Sequence, residues 1–389
     1  MKLHLVTGAT GFVGRHLVNR LLDSGQHVWI IVRPDDCQSA KKRVATLFPD
    51  YKQKFGKRLR IVEGDILQQD IGIAPLDTDI IKRHTVTLWH LAANLSFLPS
   101  DKQKVYAANY HGTVNVLTYA NKYAQEFFYV STAYVCGDQP SLGENELDNQ
   151  QHFNNEYERS KHMAEKYVRT NCTLPYLIFR PSIIIGDAHK GKAEGCTFGY
   201  YRYLYVFHFL KTQIIRALER QSLTGILLRS AGFRYDPAHD SMSAPRLLLP
   251  YPKTATVDLI PVDYVVSSML TLAQSATRDT GVYLTQAQLP HFGFLFKSAL
   301  EDLGYRDVTL LPVSSRSFRI ILQLLYVFSF SYRKYIRSVM WYTPYITQTN
   351  KFSRTIAAAA LPVPPLITRQ LAKKLNNHAR RELLVDLDI

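Results

Sequence analysis

At 389 residues with 46% hydrophobic content, the chain is long enough to bury a full core with a smaller lobe attached, and disorder is not the default reading. The formal charge of +15 is regional, because residues 316–389 hold 12 Lys or Arg against 3 Asp or Glu. Charge of that sign suits nucleic acid, an anionic membrane surface or an acidic protein without choosing among them.

The chain opens directly into a strand at Lys2, without the basic start, apolar stretch and cleavage site of a secretory signal. Short β-branched runs at residues 3–7, 28–32, 60–63, 87–91, 127–131 and 176–180 alternate with helical stretches. That alternation predicts an α/β fold, a doubly wound parallel sheet covered by helices on both faces, over residues 1–187. An aromatic-rich insertion is expected over 188–254, including Tyr200, Tyr201, Tyr203, Tyr205, Phe207 and Phe209. Residues 255–285, with a sheet-like stretch at 257–260 and a helical pattern at 262–273, read as a return to the core. Residues 286–389 read as a basic, mostly helical region for substrate or partner.

The longest apolar run, 320–332, is broken by Gln323 and two serines and falls short of the ~18 residues that span a bilayer, so it could lie on a membrane but not cross one. Cys37, Cys136, Cys172 and Cys196 are widely spaced with no CxxC pair, which argues against a disulfide scaffold or zinc; no metal is expected. A reducing, cytoplasmic setting fits best.

Directly after the first strand comes Thr7-Gly8-Ala9-Thr10-Gly11-Phe12-Val13-Gly14, leading into a helical stretch at 15–22. Glycines at this spacing allow a tight turn, close approach of backbone to a pyrophosphate, and close helix-to-strand packing, with the helix N-terminus facing the phosphates. Thr7, Gly8, Thr10, Gly11, Phe12, Val13 and Gly14 are therefore the candidate dinucleotide cradle. The second strand ends in Arg33 where an NAD-specific pattern carries an acid, which favours a 2′-phosphate and hence NADPH; Asp35 and Asp36 keep NADH open. Asp65, followed by Ile66, is a candidate adenine contact after the third strand.

Tyr157 and Lys161 form a YxxxK pair four residues apart on a predicted helix, which places phenol and ammonium on one face. Hydride reduction of a carbonyl needs a positioned proton donor, and a lysine beside a phenol lowers its pKa. Ser131 and Thr132 follow the fifth strand at the ligand-binding end of the sheet, and Thr132 is the candidate hydroxyl for the substrate carbonyl.

TGATGFVG at 7–14, His90-Leu91-Ala92-Ala93, Asn109-Tyr110-His111-Gly112-Thr113, Ser131-Thr132-Ala133-Tyr134, YERSK at 157–161 and Arg180-Pro181-Ser182-Ile183 occur in the order of the extended short-chain dehydrogenase/reductases, which the first 190 or so residues resemble. The resemblance implies a Rossmann domain, catalysis by Thr132, Tyr157 and Lys161, cofactor contacts at Ala92, Ala93, Tyr157 and Lys161, and a nicotinamide contact at Pro181, Ser182 and Ile183. Asn109 reads as structural. Residues 90–97, 130–135 and 180–187 are most similar to fatty acyl-CoA reductases and carrier-protein thioester reductases. That implies reduction of an acyl thioester, on CoA or an acyl carrier protein, to aldehyde or alcohol, with the aromatic stretches as tunnel or lid. The same three residues also support a carbonyl reductase, a hydroxysteroid-type dehydrogenase or a nucleotide-sugar epimerase or dehydratase. A non-catalytic dinucleotide-sensing or RNA-binding regulator is a further alternative; the catalytic trio argues against it, and no nucleic-acid partner is expected. Peripheral membrane contact is a further expectation, from Arg319, Arg333, Lys334 and Arg337 beside the apolar run.

Overall fold

The computed structural model describes residues 2–34, 39–48, 55–139, 142–148, 150–328, 332–347 and 352–384, and these divide into two compact units. The first unit comprises residues 1–182, 262–285 and 350–363. Its centre is a seven-stranded sheet. Six strands alternate with helices: β1 Lys2–Thr7, β2 His27–Val32, β3 Leu59–Glu63, β4 Thr85–His90, β5 Glu126–Val130 and β6 Tyr176–Pro181. The seventh, β7, is Thr280–Leu284, and the spatial order is β7-β6-β5-β4-β1-β2-β3, parallel throughout.

A parallel sheet covered on both faces buries both side-chain rows, which is why its strands read as near-continuous apolar runs. Leu5 of β1 lies level with Trp29 of β2 and Leu88 of β4. All three belong to one core with Phe127, Tyr129 and Ile178. The helices that carry the site are α1 Phe12–Asp23, α2 Ala40–Leu47, α3 Gly112–Tyr123 and α4 Glu156–Asn171. All six strands expected from sequence are present, with ends moved by one or two residues. The helix after the glycine loop begins at Phe12, earlier than expected, because the loop closes within one turn.

The domain boundaries differ from the expected ones. Ile183–Ile185 pairs in parallel with Leu259–Pro261, so these residues and their surroundings leave the core, which resumes at Val262 rather than at 255. Residues 350–363, expected in the C-terminal region, belong to the first unit: Phe352 stacks on Tyr283 of β7, and the Ile356 amide donates to the buried Glu144 carboxylate at 2.9 Å.

The second unit comprises residues 183–261, 286–349 and 364–389. The aromatic run expected as an insertion is a 20-residue helix, α5 Tyr200–Glu219. Phe209 of α5 stacks on Tyr335 at 3.7 Å between centroids, and Phe207 meets Phe296 at 5.0 Å. α6 Ser315–Phe328 and α7 Arg333–Tyr342 continue the unit. Its region beyond residue 290 is mostly helical, as expected, with two short strands, Tyr305–Arg306 and Thr309–Val313, added. Lys211 is clamped inside this unit by the Asp240 carboxylate at 2.7 Å, the Asp240 carbonyl and the Leu303 carbonyl, the pairing a buried ammonium requires.

Candidate active site

The glycine loop is shaped by contacts no side chain could tolerate. Gly8 has φ +73°, and a Cβ there would fall 2.5 Å from the Ala92 amide nitrogen. A Cβ on Gly14 would fall 2.1 Å from the Gly8 carbonyl oxygen, so α1 packs directly on the loop. Gly11 caps α1 with extended backbone and no side-chain cap, and the first turn holds no acid. The amides of Phe12 and Val13 at the start of α1 thus face an anion position beside the positive end of the helix, which fits a dinucleotide pyrophosphate. Thr10 lies half-buried in the same loop.

Arg33 is exposed just past the end of β2. Ser39 caps α2, and Arg43 on that helix donates to the Arg33 backbone carbonyl at 2.6 Å, which brings a second arginine to the end of β2. Sequence reading missed Arg43, since only the turn back of α2 brings it there. Asp35, Asp36 and Cys37 lie outside the described residues. The Asp65 carboxylate accepts from the Leu67 amide at 3.0 Å, and the Ile66 carbonyl accepts from Asn115 at 2.8 Å, which fixes the turn after β3.

A buried hydrogen-bond chain joins the loop to α4. The Asn109 carbonyl accepts from the Thr113 hydroxyl at 2.7 Å, so that hydroxyl accepts from His90 Nε2 at 2.9 Å. His90 Nδ1 then accepts from the Thr7 hydroxyl at 2.7 Å, and Thr7 accepts from the Ala92 amide at 3.4 Å. Burial holds His90 neutral, its pKa pulled down to about 3, with Lys161 adding to the shift. The Asn109 side chain also accepts from the Asn94 amide, donates to the Asn94 carbonyl, and donates to Ser160, which donates to the Tyr157 carbonyl at 2.8 Å. Asn109 ties these elements together structurally. The signal for His90 and Thr113 was a histidine ending an apolar strand and a threonine four residues past Asn109.

At the far end of that chain, Asn155 caps α4 by accepting from the Glu158 amide, and Glu158 reaches back to the Asn154 amide at 2.8 Å. This reciprocal cap fixes the first turn, which carries Tyr157. The Tyr157 ring packs at 5.8 Å from Phe97. Burial pushes the Tyr157 phenol well above its ordinary range, and a hydrogen bond with Thr132 pulls it down. Thr132 is buried and also accepts from the Tyr134 amide. Its neighbour Ser131 is associated instead with Glu165, whose carboxylate Arg180 and Arg169 hold low against its burial. The Lys161 ammonium donates to the Val130 carbonyl at 2.6 Å and lies 4.2 Å above the Tyr129 ring. Desolvation lowers it to about 7, against the pull of Glu165. Burial and Glu158 raise the phenol, and Thr132 lowers it.

Pro181 ends β6, and the Ser182 amide donates to the Leu284 carbonyl at 3.1 Å. Ile183 belongs to the second unit and there walls a narrow apolar pocket with Tyr200, Tyr203, Leu259, Phe292 and Tyr342. The hydroxyl of Tyr200 is held by Asn376 at 2.5 Å, leaving its ring as wall. Among the described residues, no helix is long and apolar enough to cross a membrane.

The chain is similar to several known proteins. Over 366 residues it is 24% identical to a probable fatty acyl-CoA reductase 5 of Arabidopsis thaliana, covering 81% of this chain and 72% of that protein. It is 34% identical over 192 residues to a 3β-hydroxysteroid dehydrogenase/Δ5→4-isomerase of Mycobacterium tuberculosis, and the match spans 48% of this chain and about half, 48%, of that protein's length. The crystal structure of the terminal R domain from the myxalamid PKS-NRPS biosynthetic pathway superposes with a TM-score of 0.73 at 20% identity, covering 99% of this chain and 92% of that one, which shows a shared fold. The family model described as Male sterility protein matches residues 6–269. With that match over a doubly wound sheet and its glycine loop, the chain belongs to the Male sterility protein family of NAD(P)-dependent oxidoreductases, a branch of the extended short-chain dehydrogenase/reductases.

Proposed function

We propose that this chain is an NADPH-dependent reductase of acyl thioesters, presented on CoA or an acyl carrier protein, yielding aldehyde or alcohol. The observation that carries the reading is the buried Tyr157 phenol in hydrogen-bond contact with Thr132, in a chain similar over 81% of its length to a probable fatty acyl-CoA reductase; the narrow pocket of the second unit, walled almost only by carbon, agrees with an apolar substrate. Nucleotide sugars, with many hydroxyls to satisfy, fit such a wall poorly.

The glycine loop and the start of α1 would hold the pyrophosphate, Arg33 and Arg43 the 2′-phosphate, and Pro181, Ser182 and Ile183 the nicotinamide. When bound, the reduced nicotinamide would supply the hydride to the thioester carbon. Thr132 would donate a hydrogen bond to the carbonyl oxygen, and Tyr157, kept protonated at neutral pH by burial, would deliver the proton as negative charge develops there. The hemithioacetal so formed expels the thiol to leave an aldehyde; a second reduction gives the alcohol. Lys161, held by the Val130 carbonyl and lowered towards neutral by burial, would hold the ribose hydroxyls of the cofactor and favour proton release from the phenol. Cytoplasmic residence with contact to a membrane surface completes the reading.

The 34% identical steroid dehydrogenase supports a second reading, oxidoreduction of a hydroxysteroid or another small carbonyl compound, which an apolar cavity would also accommodate. Supplying the purified protein and NADPH with acyl-CoA, acyl-carrier-protein, ketosteroid and aldehyde substrates separates the two. Thiol release with aldehyde or alcohol from the thioesters, and no turnover of the ketosteroids, is the expected result. Turnover confined to ketones would establish the second reading in its place.

A further inference from the structure

Between Asp307 and Glu382 the chain carries 12 Lys or Arg and no Asp or Glu. Within this stretch α6 is apolar on two sides. Phe318 and Leu322 are buried on one. On the other, Ile320, Leu324, Val327 and Phe328 are 47%, 52%, 51% and 75% exposed. Their spacing sets them in one stripe along the helix. Arg316 and Arg319 stand exposed at its N-terminal end. At the other end, Arg333 of α7 donates to the Tyr326 and Val327 carbonyls at 3.0 and 2.9 Å, and the Arg337 guanidinium lies 5.2 Å from the Tyr326 ring. Those contacts close the C-terminus of α6 and fix cations there.

We propose that this face of the second unit docks on an anionic membrane surface. α6 lies in the plane of the interface, with Ile320, Leu324, Val327 and Phe328 among the outer acyl-chain carbons and Arg316, Arg319 and Arg337 on lipid phosphates. The docking deepens the membrane contact of the reading above and rests on it, while the thioester chemistry does not enter. Charge selects the occupant: a second copy would set cation against cation, and an acidic polar protein would meet the arginines but leave the aliphatic stripe in water. At 14 residues α6 is roughly 21 Å long, too short to cross a bilayer and suited to lying on one.

The test is co-sedimentation of the full chain with vesicles of phosphatidylcholine alone and of phosphatidylcholine with phosphatidylglycerol, at low and high salt. Binding only to the anionic vesicles, weakening with salt, is expected. The paired substitution Leu324→Ser and Phe328→Ser should weaken it about tenfold or more. Arg316→Ser with Arg319→Ser should remove most of the preference for anionic lipid. Both residue pairs are exposed, so thermal midpoints and turnover of a water-soluble thioester should stay at wild-type values, and a failed reductase reading would show separately as no turnover by any variant. Absence of vesicle binding, or equal binding by wild type and the Leu324/Phe328 variant, would overturn the proposal. So would a concentration-dependent dimer, or retention on an immobilised acyl carrier protein without vesicle binding, if lost in that same variant; either would reassign the stripe.

Discussion

Tyr157 and Lys161 sit one turn apart on α4, and burial acts on them in opposite senses: it raises the phenol and lowers the ammonium to about 7. A protonated phenol at neutral pH is the form a proton donor needs, so Tyr157→Phe should reduce turnover by three orders of magnitude or so while NADPH binding, read by fluorescence, changes little. Lys161 carries a stability consequence. Its folded value lies below its ordinary 10.5, so the native state binds fewer protons than the unfolded chain between about 7 and 10.5, and stability rises with pH across that window. The cost of the buried ammonium is full below pH 7. Lys161→Met should therefore raise the unfolding free energy at pH 6.5 by roughly 1–4 kcal/mol, a gain that fades towards pH 10.5, while turnover is lost. Denaturant melts at the two pH values check the sign. At the cofactor's adenosine end, Arg33→Asp should shift preference from NADPH towards NADH by about tenfold or more, and Arg43→Ala should act in the same direction, measured as the ratio of the two Kd values. The YxxxK spacing made Tyr157 and Lys161 legible in the sequence. Arg43 was not legible, because ten residues separate it from Arg33 and only the packing of α2 closes that distance.

The glycine loop was the most legible element, and its geometry shows why. Strand, turn and helix must close so tightly that Gly14 has no room for a methyl group beside the Gly8 carbonyl. Gly14→Val should therefore displace α1, abolish dinucleotide binding and cost several kcal/mol of stability, which calorimetry with and without NADPH would detect. The core strands were visible because burial on both faces demands unbroken apolar runs. β7 was hidden by its Thr280-Gly281 start, where the glycine leaves space that Arg169 and Arg180 occupy. The aromatic run after residue 195 was read as part of a segment inserted between two stretches of the core, and residues 183–261 do lie between 1–182 and 262–285 of the first unit; that the run is one long helix was not legible, because its rings face several helices of the second unit and leave no clean apolar stripe.

At the scale of the molecule, the division into units was the part least open to sequence reading, since each unit is assembled from three separate stretches and periodicity reports only on neighbours along the chain. Two neutral histidines in the core of the first unit set its acid limit. His90 is held down to about 3 and His4, which accepts from the Trp89 indole, to about 4. Both folded values lie below the ordinary 6.5, so the unfolded chain binds more protons in acid, and stability present above pH 6.5 is lost as the pH falls towards 3. At pH 5 the pair should together cost about 4 kcal/mol, visible as an early fall in melting temperature that a His4→Gln variant reduces. The central claim is that this first unit reduces an acyl thioester. Its most direct test is single turnover with NADPH deuterated at the transferable position of the nicotinamide and an acyl-CoA or acyl-carrier-protein thioester, with the product analysed by mass spectrometry. The account predicts an aldehyde carrying one deuterium on its carbonyl carbon, or an alcohol labelled at that same carbon, with release of one thiol. Unlabelled product, or intact thioester under conditions where a ketosteroid takes up the label, would contradict it.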